Sequence, residues 1–303
     1  MRNAIVAKYW DKQFARMEGD NGYWTNNVIV AEHINTLMTG ENTRWLPWLF
    51  HSYFGERTFR SALSVCCGNG SQELDMYNTG CVEQIHGFDL SPGAIQSARE
   101  RFSTAGIHDA AFRFQVEDAR EFSAPDHSYD LILCAGALHH LRDLESTLAN
   151  MHSLLSDDGF FVLVEYVGPN YHQWTPLQLS ATNSILERID PLLLRNHQRE
   201  FLKRPSRTRM LLSDPSESPR SQEIPHLVRN SFRVVYERAY NGTLIHPLHP
   251  LLNADLVNVD DEDFDALVRS VISLEADLIQ QGVLSSDFIF MVCRKSPQSR
   301  HSM

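Results

Sequence analysis

The sequence is poor in cysteine and contains no Cys-x-x-Cys pair. Five cysteines among 303 residues, two of them adjacent, lack the spacing of a structural zinc site or of a disulfide framework. We therefore expect reduced thiols, no metal site and a cytoplasmic location. The five are Cys66, Cys67, Cys81, Cys134 and Cys293.

Positive charge and long apolar runs are also scarce. The chain has 27 lysine and arginine residues against 38 aspartate and glutamate residues, which gives a net charge of -11. An acidic chain is repelled by a phosphate backbone, so we expect no nucleic-acid partner. No apolar run has the length of about 20 residues that a membrane helix needs, and the first residues lack a signal-peptide core, so we expect no membrane association.

The length of the chain predicts one large α/β domain with additions. Residues 1–58 are rich in aromatic side chains and predict a helical cap, in which most rings pack against the core. Residues 168–230 are too long for a plain connection, and we interpret them as an inserted substrate lid. The core then consists of residues 59–167 and 231–295, and residues 296–303 form a tail. The sequence leaves open whether the chain forms a homodimer.

Residues 62–89 read as a strand, a glycine-containing turn, a helix and a second strand. The turn Cys66–Ser71 has two glycines, which let the backbone pass close to a ligand. Ser71 is placed to cap the helix that follows. Asp89 ends the second strand 19 residues after Gly70, where nucleotide-binding folds place the acid that accepts the ribose hydroxyls. This pattern predicts a nucleotide site.

Strands and helices keep alternating after Asp89, which predicts a doubly wound parallel sheet. Ser91 followed by proline marks the start of a helix. We predict that a later helix, which begins near Leu144, is ended by Asp158 and Gly159. The remaining predicted strands are Phe112–Val116, Tyr129–Cys134, Phe160–Val167, Ser231–Tyr240 and Asp287–Cys293.

Five features in one order make residues 60–166 and the final strands resemble the class I methyltransferases that use S-adenosylmethionine. They are the turn Cys66–Gly70, Asp89, Asp118 with Ala119, the run Ala137–Leu141 and a closing pair of strands. The resemblance implies a mostly parallel seven-stranded sheet with an antiparallel final strand. It also implies S-adenosylmethionine as the cofactor and methyl transfer to a small molecule of a natural-product or glycan pathway. By position it assigns cofactor contacts to Cys66, Gly68, Asn69, Gly70, Glu73, Asp89, Leu90, Asp118, Ala119 and Cys134.

Within that resemblance, Asp89 would hold the ribose and Asp118 the adenine amino group, with Leu90 flanking the adenine. The turn departs from the family pattern at two positions. Ser64 stands where the family usually has an acid, and Cys66 where it has a glycine. We expect Glu73, in the first helical turn, to supply part of the missing negative charge.

The catalytic candidates follow the fourth and fifth strands, where an open α/β sheet binds its ligands. Methyl transfer to an oxygen or nitrogen requires the loss of a proton, which histidine or glutamate can accept. His139, His140 and Glu165 are the candidates for this base, and each has a structural role as its alternative. Substrate contacts are predicted for Tyr9, Trp24, Tyr166, His172 and Trp174.

Two other functions remain open at this level. An NAD(P)-dependent oxidoreductase would explain the glycines and Asp89, but its fingerprint needs a third glycine where Glu73 stands. A non-catalytic S-adenosylmethionine-binding module would need no lid rich in aromatic and histidine residues. The basic residues between Arg195 and Arg209 are either a solvated surface or a contact to an anionic substrate.

Overall fold

The computed structural model describes residues 6–11, 13 and 21–296 of the chain. The predicted tail beyond residue 296 and part of the predicted N-terminal cap lie outside these residues. No helix in the described part of the chain is both long and apolar enough to cross a membrane.

Seven strands form one sheet, in the order β3-β2-β1-β4-β5-β7-β6. The five strands β3, β2, β1, β4 and β5 pair in parallel, whereas β7 is antiparallel to both β5 and β6. The predicted doubly wound, mostly parallel sheet with an antiparallel final strand is therefore confirmed. The strands are β1 (Phe59–Val65), β2 (Val82–Asp89), β3 (Phe112–Val116), β4 (Tyr129–Ala135), β5 (Leu155–Tyr166), β6 (Phe232–Ala239) and β7 (Phe288–Lys295).

The longer helices lie on both faces of the sheet. Side chains from α1, α2, α3 and α8 pack in one apolar layer, and those from α4 and α7 pack in the other. These helices are α1 (Val28–Thr39), α2 (Ser71–Asn78), α3 (Pro92–Thr104), α4 (Leu144–Leu154), α5 (Pro176–Leu186), α6 (Arg207–Ser213), α7 (Ile224–Ser231) and α8 (Glu262–Gln280). A short helix, Trp45–Pro47, continues into a π-helical turn, Trp48–Tyr53.

Two helix boundaries test the capping rules. Ser91 caps α3 as predicted, because its side chain accepts a hydrogen bond from the backbone N–H of Ala94. The prediction that Ser71 caps α2 is wrong: Ser71 is the first helical residue, and Gly70 precedes it in a left-handed conformation without a side-chain cap.

The prediction that Asp158 and Gly159 end a helix is also wrong. Helix α4 ends at Leu154, and β5 begins at Leu155, so both residues lie within a strand. The buried Leu155 continues the apolar helical spacing of α4, and this periodicity concealed the change from helix to strand.

Residues 168–230 include α5, α6 and most of α7, with irregular chain between them. Gln178 on α5 ties this segment to the sheet, because its side-chain amide donates to Thr243 Oγ1 at 2.7 Å and to Asp287 Oδ2 at 2.8 Å. An open groove of about 910 Å³ lies between α5 and α8, and none of the predicted site residues is among its lining residues.

We expect the buried Asp287 to make the stability of the ligand-free protein depend on pH. Burial, together with the nearby Glu275, raises the pKa of Asp287 to about 7, although bonds from Gln178 and Thr243 act in the opposite direction. The folded state therefore keeps a proton that the unfolded chain has released above pH 4, so stability falls as the pH rises from about 4 to 7. Between pH 5 and 8 the free energy of unfolding should fall by roughly 2–3 kcal/mol less in Asp287→Asn than in the wild type.

Urea unfolding of both proteins at pH 5 and pH 8 measures this difference. Burial also raises the pKa of Glu73. Because Glu73 is present in both proteins, it contributes equally to the pH dependence of stability in both. Asp263→Asn, at an exposed position of α8, is the matched control and should leave the pH dependence as it is. Equal pH dependence in Asp287→Asn and the wild type would show that Asp287 is ionised in the folded state throughout this range.

Candidate active site

The turn between β1 and α2 is held by backbone contacts and by close packing. Cys66 has φ 54°, a left-handed conformation that costs a residue with a side chain about 1–3 kcal/mol. This conformation explains why the family has glycine at that position. Gly70 has φ 74°, and a Cβ there would lie 2.8 Å from the Cβ of Ala98 on α3. Gly70 is therefore required for packing between the turn and α3.

Asp89, at the end of β2, faces this turn. The side chain is buried, and its Oδ2 accepts from the backbone N–H of Gly68 at 3.0 Å and its Oδ1 from that of Ser91 at 2.9 Å. The backbone N–H of Leu90 also acts on this carboxylate. Two carboxylate oxygens offer about four acceptor positions, so the side chain keeps acceptor capacity for a ligand hydroxyl. A fixed carboxylate with remaining acceptor capacity fits a ribose.

Glu73 on α2 lies beside Ser64, the position at which the family usually has an acid. The hydroxyl of Ser64 donates to Glu73 Oε1 at 2.6 Å, while Glu73 Oε2 is buried and has no hydrogen-bond partner. Burial raises the pKa of Glu73 to about 7. A buried carboxylate oxygen without a hydrogen-bond partner, beside the glycine turn, can accept a hydrogen bond from the ammonium group of S-adenosylmethionine. The residues present therefore fit this cofactor at both its ribose and its amino-acid end.

The other predicted cofactor residues surround the same end of the sheet. Asp118 follows β3, and Arg120 binds both of its carboxylate oxygens, with Nε at 3.1 Å from Oδ1. Ala119 and Cys134 are buried in the apolar layer of α4 and α7, whereas Leu90 is partly exposed. Asn69 supports the turn itself, because its Oδ1 accepts from the backbone N–H of Ser71 at 3.3 Å.

We expect Asp118→Ala to weaken the binding of S-adenosylhomocysteine by less than tenfold. The Asp118 carboxylate is already paired with Arg120, so truncation removes one shared hydrogen bond to an adenine, worth about 0.5–1.5 kcal/mol. Titration calorimetry measures the change. A loss larger than that caused by Asp89→Ala would mean that the two acids have the opposite roles.

Glu165 and His139 form a buried pair at the carboxyl ends of β5 and β4. Glu165 is fully buried, and its Oε1 accepts from the backbone N–H groups of Ala137 and Leu138, both at 2.6 Å. Its Oε2 lies 2.8 Å from His139 Nδ1. Burial lowers the pKa of His139, but the negative charge of Glu165 more than offsets this effect and raises it overall. Glu165 thus orients His139 with Nδ1 as the donor, which leaves Nε2 for a ligand.

His140 packs against His139, with ring centroids 4.0 Å apart. Burial and the neighbouring His139 lower the pKa of His140 to about 3, so its imidazole is neutral. Glu217 approaches both rings from the segment after α6. Burial raises its pKa, yet His172, His140 and His139 pull it well below the ordinary value, so Glu217 is a carboxylate. Sequence reasoning missed Glu217, because it lies 78 residues after His139 and in no motif.

The predicted substrate residues fall into two groups. Tyr166 lies beside His172, with ring centroids 4.9 Å apart, and Trp174 stacks on His172 at 5.8 Å. Tyr9 is near this group. Burial raises the pKa of its hydroxyl most, and the nearby charges of Asp214 and Glu217 raise it further. Trp24 is 3% exposed and packs on Phe288 and His246, which both also contact Tyr166. Its contact to substrate stays a prediction.

A second connection that sequence reasoning missed comes from the helical residues 6–11. The Asp11 carboxylate accepts from Ser91 Oγ at 2.5 Å and from the backbone N–H of Gly93 at 2.9 Å. Trp10, next to it, contacts His140 edge-on with ring centroids 4.8 Å apart. Residues 10 and 11 therefore connect the part of the site around Asp89 with the part around His139 and His140, which we call the histidine side.

Three of the basic residues between Arg195 and Arg209 make contacts within the protein. Arg199 donates to the carbonyls of Leu186 and Ile189, and Arg204 donates to that of Trp174 at 2.7 Å. Arg195 pairs with Glu200 at 2.7 Å. These contacts support the structural interpretation of this segment rather than a contact to an anionic substrate.

Comparison with known proteins agrees with this geometry. The family model described as "Methyltransferase domain" matches residues 62–159, which include β1 to β4 and the first part of β5. The antiparallel β7 between β5 and β6 also separates this sheet from the parallel 3-2-1-4-5-6 sheet of dinucleotide-binding oxidoreductases.

Two curated relatives are methyltransferases by name. The chain is 25% identical over 147 residues to the 27-O-demethylrifamycin SV methyltransferase of Amycolatopsis mediterranei, which covers 48% of this chain and 50% of the relative. It is 30% identical over 110 residues to the demethylmenaquinone methyltransferase of Deinococcus radiodurans, which covers 36% of this chain and 44% of the relative. The chain thus spans half or less of the length of these relatives.

Among solved structures, phosphoethanolamine N-methyltransferase 2 of Haemonchus contortus, in complex with S-adenosylmethionine, shares the fold. The TM-score is 0.50 at 15% identity, over 80% of this chain and 50% of that one. The matched domain, the strand order and the placement of the turn and its acids lead to one conclusion. Residues 62–159 form a methyltransferase domain, and the sheet around them has the class I methyltransferase fold, whose cofactor is S-adenosylmethionine.

Proposed function

We propose that this protein transfers the methyl group of S-adenosylmethionine to a hydroxyl or amino group of a small molecule, with His139 as the general base. The His139–Glu165 pair carries the proposal. The pair lies at the ends of adjacent strands, and the imidazole of His139 is edge-on to the ring of Tyr166, with centroids 6.2 Å apart. S-Adenosylmethionine, when bound, supplies a methyl group on a sulfonium sulfur.

The residues of this chain then have separate tasks. Asp89 and Glu73 bind the two ends of the cofactor and fix the direction of its methyl group. Tyr166 and His172 position the acceptor, whose oxygen or nitrogen forms a bond to the methyl carbon as the carbon–sulfur bond breaks. His139 Nε2 takes the acceptor's proton, and S-adenosylhomocysteine leaves. Alignment supplies most of the rate, and the base adds about 10²–10⁴-fold.

We propose that residues 168–230 form the lid that separates the acceptor from water. Arg142, just after the histidine run, supports this role because it holds two parts of the segment together. Its guanidinium donates to Tyr171 Oη at 3.1 Å and to the carbonyl of Pro215 at 3.2 Å. Tyr171 and His172 have φ values of 55° and 49°, so this part of the segment holds a sharply turned backbone beside the site.

We infer that the acceptor is a neutral or weakly polar small molecule and that the enzyme works in the cytoplasm. The net charge of -11 disfavours nucleic acid, and the arginines described in the lid are occupied by other contacts. The names of the two relatives described above support an acceptor such as 27-O-demethylrifamycin SV or demethylmenaquinone for this chain as well. 27-O-Demethylrifamycin SV and the hydroquinone form of demethylmenaquinone, which both carry hydroxyls, are therefore the first acceptors to try.

The test uses methyl-labelled S-adenosylmethionine, the full chain and a panel of hydroxylated and aminated small molecules that includes those two. We expect S-adenosylhomocysteine to bind with one equivalent per chain, NAD not to bind, and label to appear in at least one acceptor. Binding of NAD in place of S-adenosylhomocysteine would refute the proposal. Cofactor binding without transfer to any acceptor of the panel would favour a non-catalytic binding module.

A further inference from the structure

His139, His140 and Glu217 form a cluster that the proposed function uses only in part. We propose that these three side chains bind one divalent transition-metal ion of the zinc type, a site that the cysteine spacing does not predict. The ligand atoms that they offer all lie within 4.8 Å of one another. Among the described residues, this is the one group of three that meets this condition.

The separation of the three ligand atoms is close to what one ion requires. Nitrogen and oxygen ligands lie about 2.0–2.2 Å from zinc, so two ligands of a tetrahedral ion are about 3.3–3.6 Å apart. A bound ion would therefore draw the three atoms together from separations of up to 4.8 Å. Glu217 is able to move toward the rings, because its side chain is only partly buried.

Glu165 supplies the outer contact that histidine ligands of metals usually have. A metal-bound histidine donates its second ring N–H to a carboxylate or carbonyl, which fixes its orientation and raises its basicity. Glu165 Oε2 lies 2.8 Å from His139 Nδ1, and the backbone bonds to Glu165 Oε1 keep this carboxylate in place. His139 therefore presents Nε2 as the ligand atom.

The other two side chains have atoms available for an ion. His140 Nδ1 is buried without a hydrogen-bond partner, which costs free energy unless a ligand binds it. The bonds described for the Glu217 side chain both involve Oε1, from His172 Nε2 at 3.2 Å and Ser218 Oγ at 2.8 Å. Both of these bonds are made by one oxygen of the carboxylate, so the other oxygen can serve as a ligand atom.

Two imidazoles and one carboxylate select the type of ion. Imidazole suits zinc, iron, nickel and copper, whereas magnesium and calcium prefer oxygen ligands throughout. Three protein ligands leave a coordination position open, as catalytic zinc sites do. A bound ion would occupy His139 Nε2, the atom that the proposed function gives to the acceptor's proton. The ion and the base therefore cannot act at the same time, and Zn²⁺ should inhibit methyl transfer; this effect on the reaction rests on the proposed function. The binding of the ion does not rest on it.

The test measures ion binding directly on the full chain after treatment with a chelator and dialysis. Calorimetric titration with Zn²⁺ should give one ion per chain in the wild type. We expect at least about 100-fold weaker binding in His140→Ala and in Glu217→Gln, and a 10–100-fold loss in Glu165→Gln through the outer contact. His226→Ala, at an exposed position of α7, is the matched control and should bind as the wild type does.

Titration with Co²⁺ separates this site from the five cysteines. Binding to histidine and carboxylate gives weak visible bands, whereas thiolate ligands add strong absorption in the near ultraviolet. Failure to bind one Zn²⁺ per chain, unchanged affinity in both His140→Ala and Glu217→Gln, or thiolate absorption would overturn the proposal. Glu217→Gln is nearly isosteric, so the test stands even if His140→Ala does not fold.

Titration of the same preparations with S-adenosylhomocysteine separates the two proposals. Cofactor binding and methyl transfer in a chain that binds no Zn²⁺ would overturn the metal site alone. One bound Zn²⁺, lost in the variants, in a chain that does not bind S-adenosylhomocysteine would support the metal site and refute the proposed function.

Discussion

His139→Ala is expected to lower turnover by about 10²–10⁴-fold while the affinity for S-adenosylhomocysteine stays within a factor of about two. In the proposed mechanism the imidazole acts on the acceptor as its proton leaves, so its interaction is made chiefly in the transition state. Asp89 and Glu73, to which we assign the cofactor contacts, lie on other elements. Steady-state kinetics with an acceptor found in the panel, together with calorimetry of each variant, measures both quantities.

Glu165→Gln tests whether Glu165 acts through His139. A glutamine still accepts from the backbone N–H groups of Ala137 and Leu138 but loses the charge beside His139. We expect kcat to fall by roughly tenfold or more with KM for the acceptor nearly unchanged, a split that a purely structural loss would not give. His51→Ala, at an exposed position, is the control for histidine removal. Near-normal kcat in both His139→Ala and Glu165→Gln would leave positioning alone as the source of catalysis.

Asp89→Ala is expected to weaken S-adenosylhomocysteine binding by about 1.5–3 kcal/mol, which corresponds to roughly 10–150-fold. The substitution removes the carboxylate that we assign to the ribose and also frees the backbone N–H groups of Gly68 and Ser91. Both effects reduce cofactor affinity, and neither acts on the acceptor. Titration calorimetry of the folded variant gives the change in affinity.

Asp89→Asn separates the two effects of that truncation. The amide keeps one oxygen acceptor and replaces the other with a donor, so it should lose about half of the free energy that alanine loses. Asp118→Ala is the comparison, because it removes a carboxylate from the neighbouring strand end. Unchanged affinity in Asp89→Ala would falsify the ribose assignment.

Much of the fold could be predicted from local sequence patterns, because apolar runs and turn residues coincide with strands and their ends. The Ser91 cap and the strand Phe112–Val116 were placed correctly for this reason. The boundary between α4 and β5 could not be predicted. Leu155 fits the spacing of the helix, and the pairing of β5 with β4 and β7 decides that it begins a strand instead.

The candidate site could be predicted only where it follows strand ends. The topology brings His139 and Glu165 together at the ends of adjacent strands, so sequence reasoning could list both. It could not show that Glu165 bonds to His139 Nδ1 and so orients the imidazole, because this contact depends on side-chain packing. Asp11 and Glu217 reach the site from irregular or distant parts of the chain, and no local pattern marks such contacts.

The position of β7 has a consequence for the synthesis of this protein on the ribosome. β7 is the last strand in the chain, yet it lies between β5 and β6 and pairs with both along most of their lengths. While the chain is being translated, β5 has one exposed edge and β6 has no neighbour in the sheet. Exposed edges of this kind invite pairing with other chains. The sheet is therefore complete only after residues 288–295 leave the ribosome, and we expect a nascent chain that stalls earlier to be prone to aggregation.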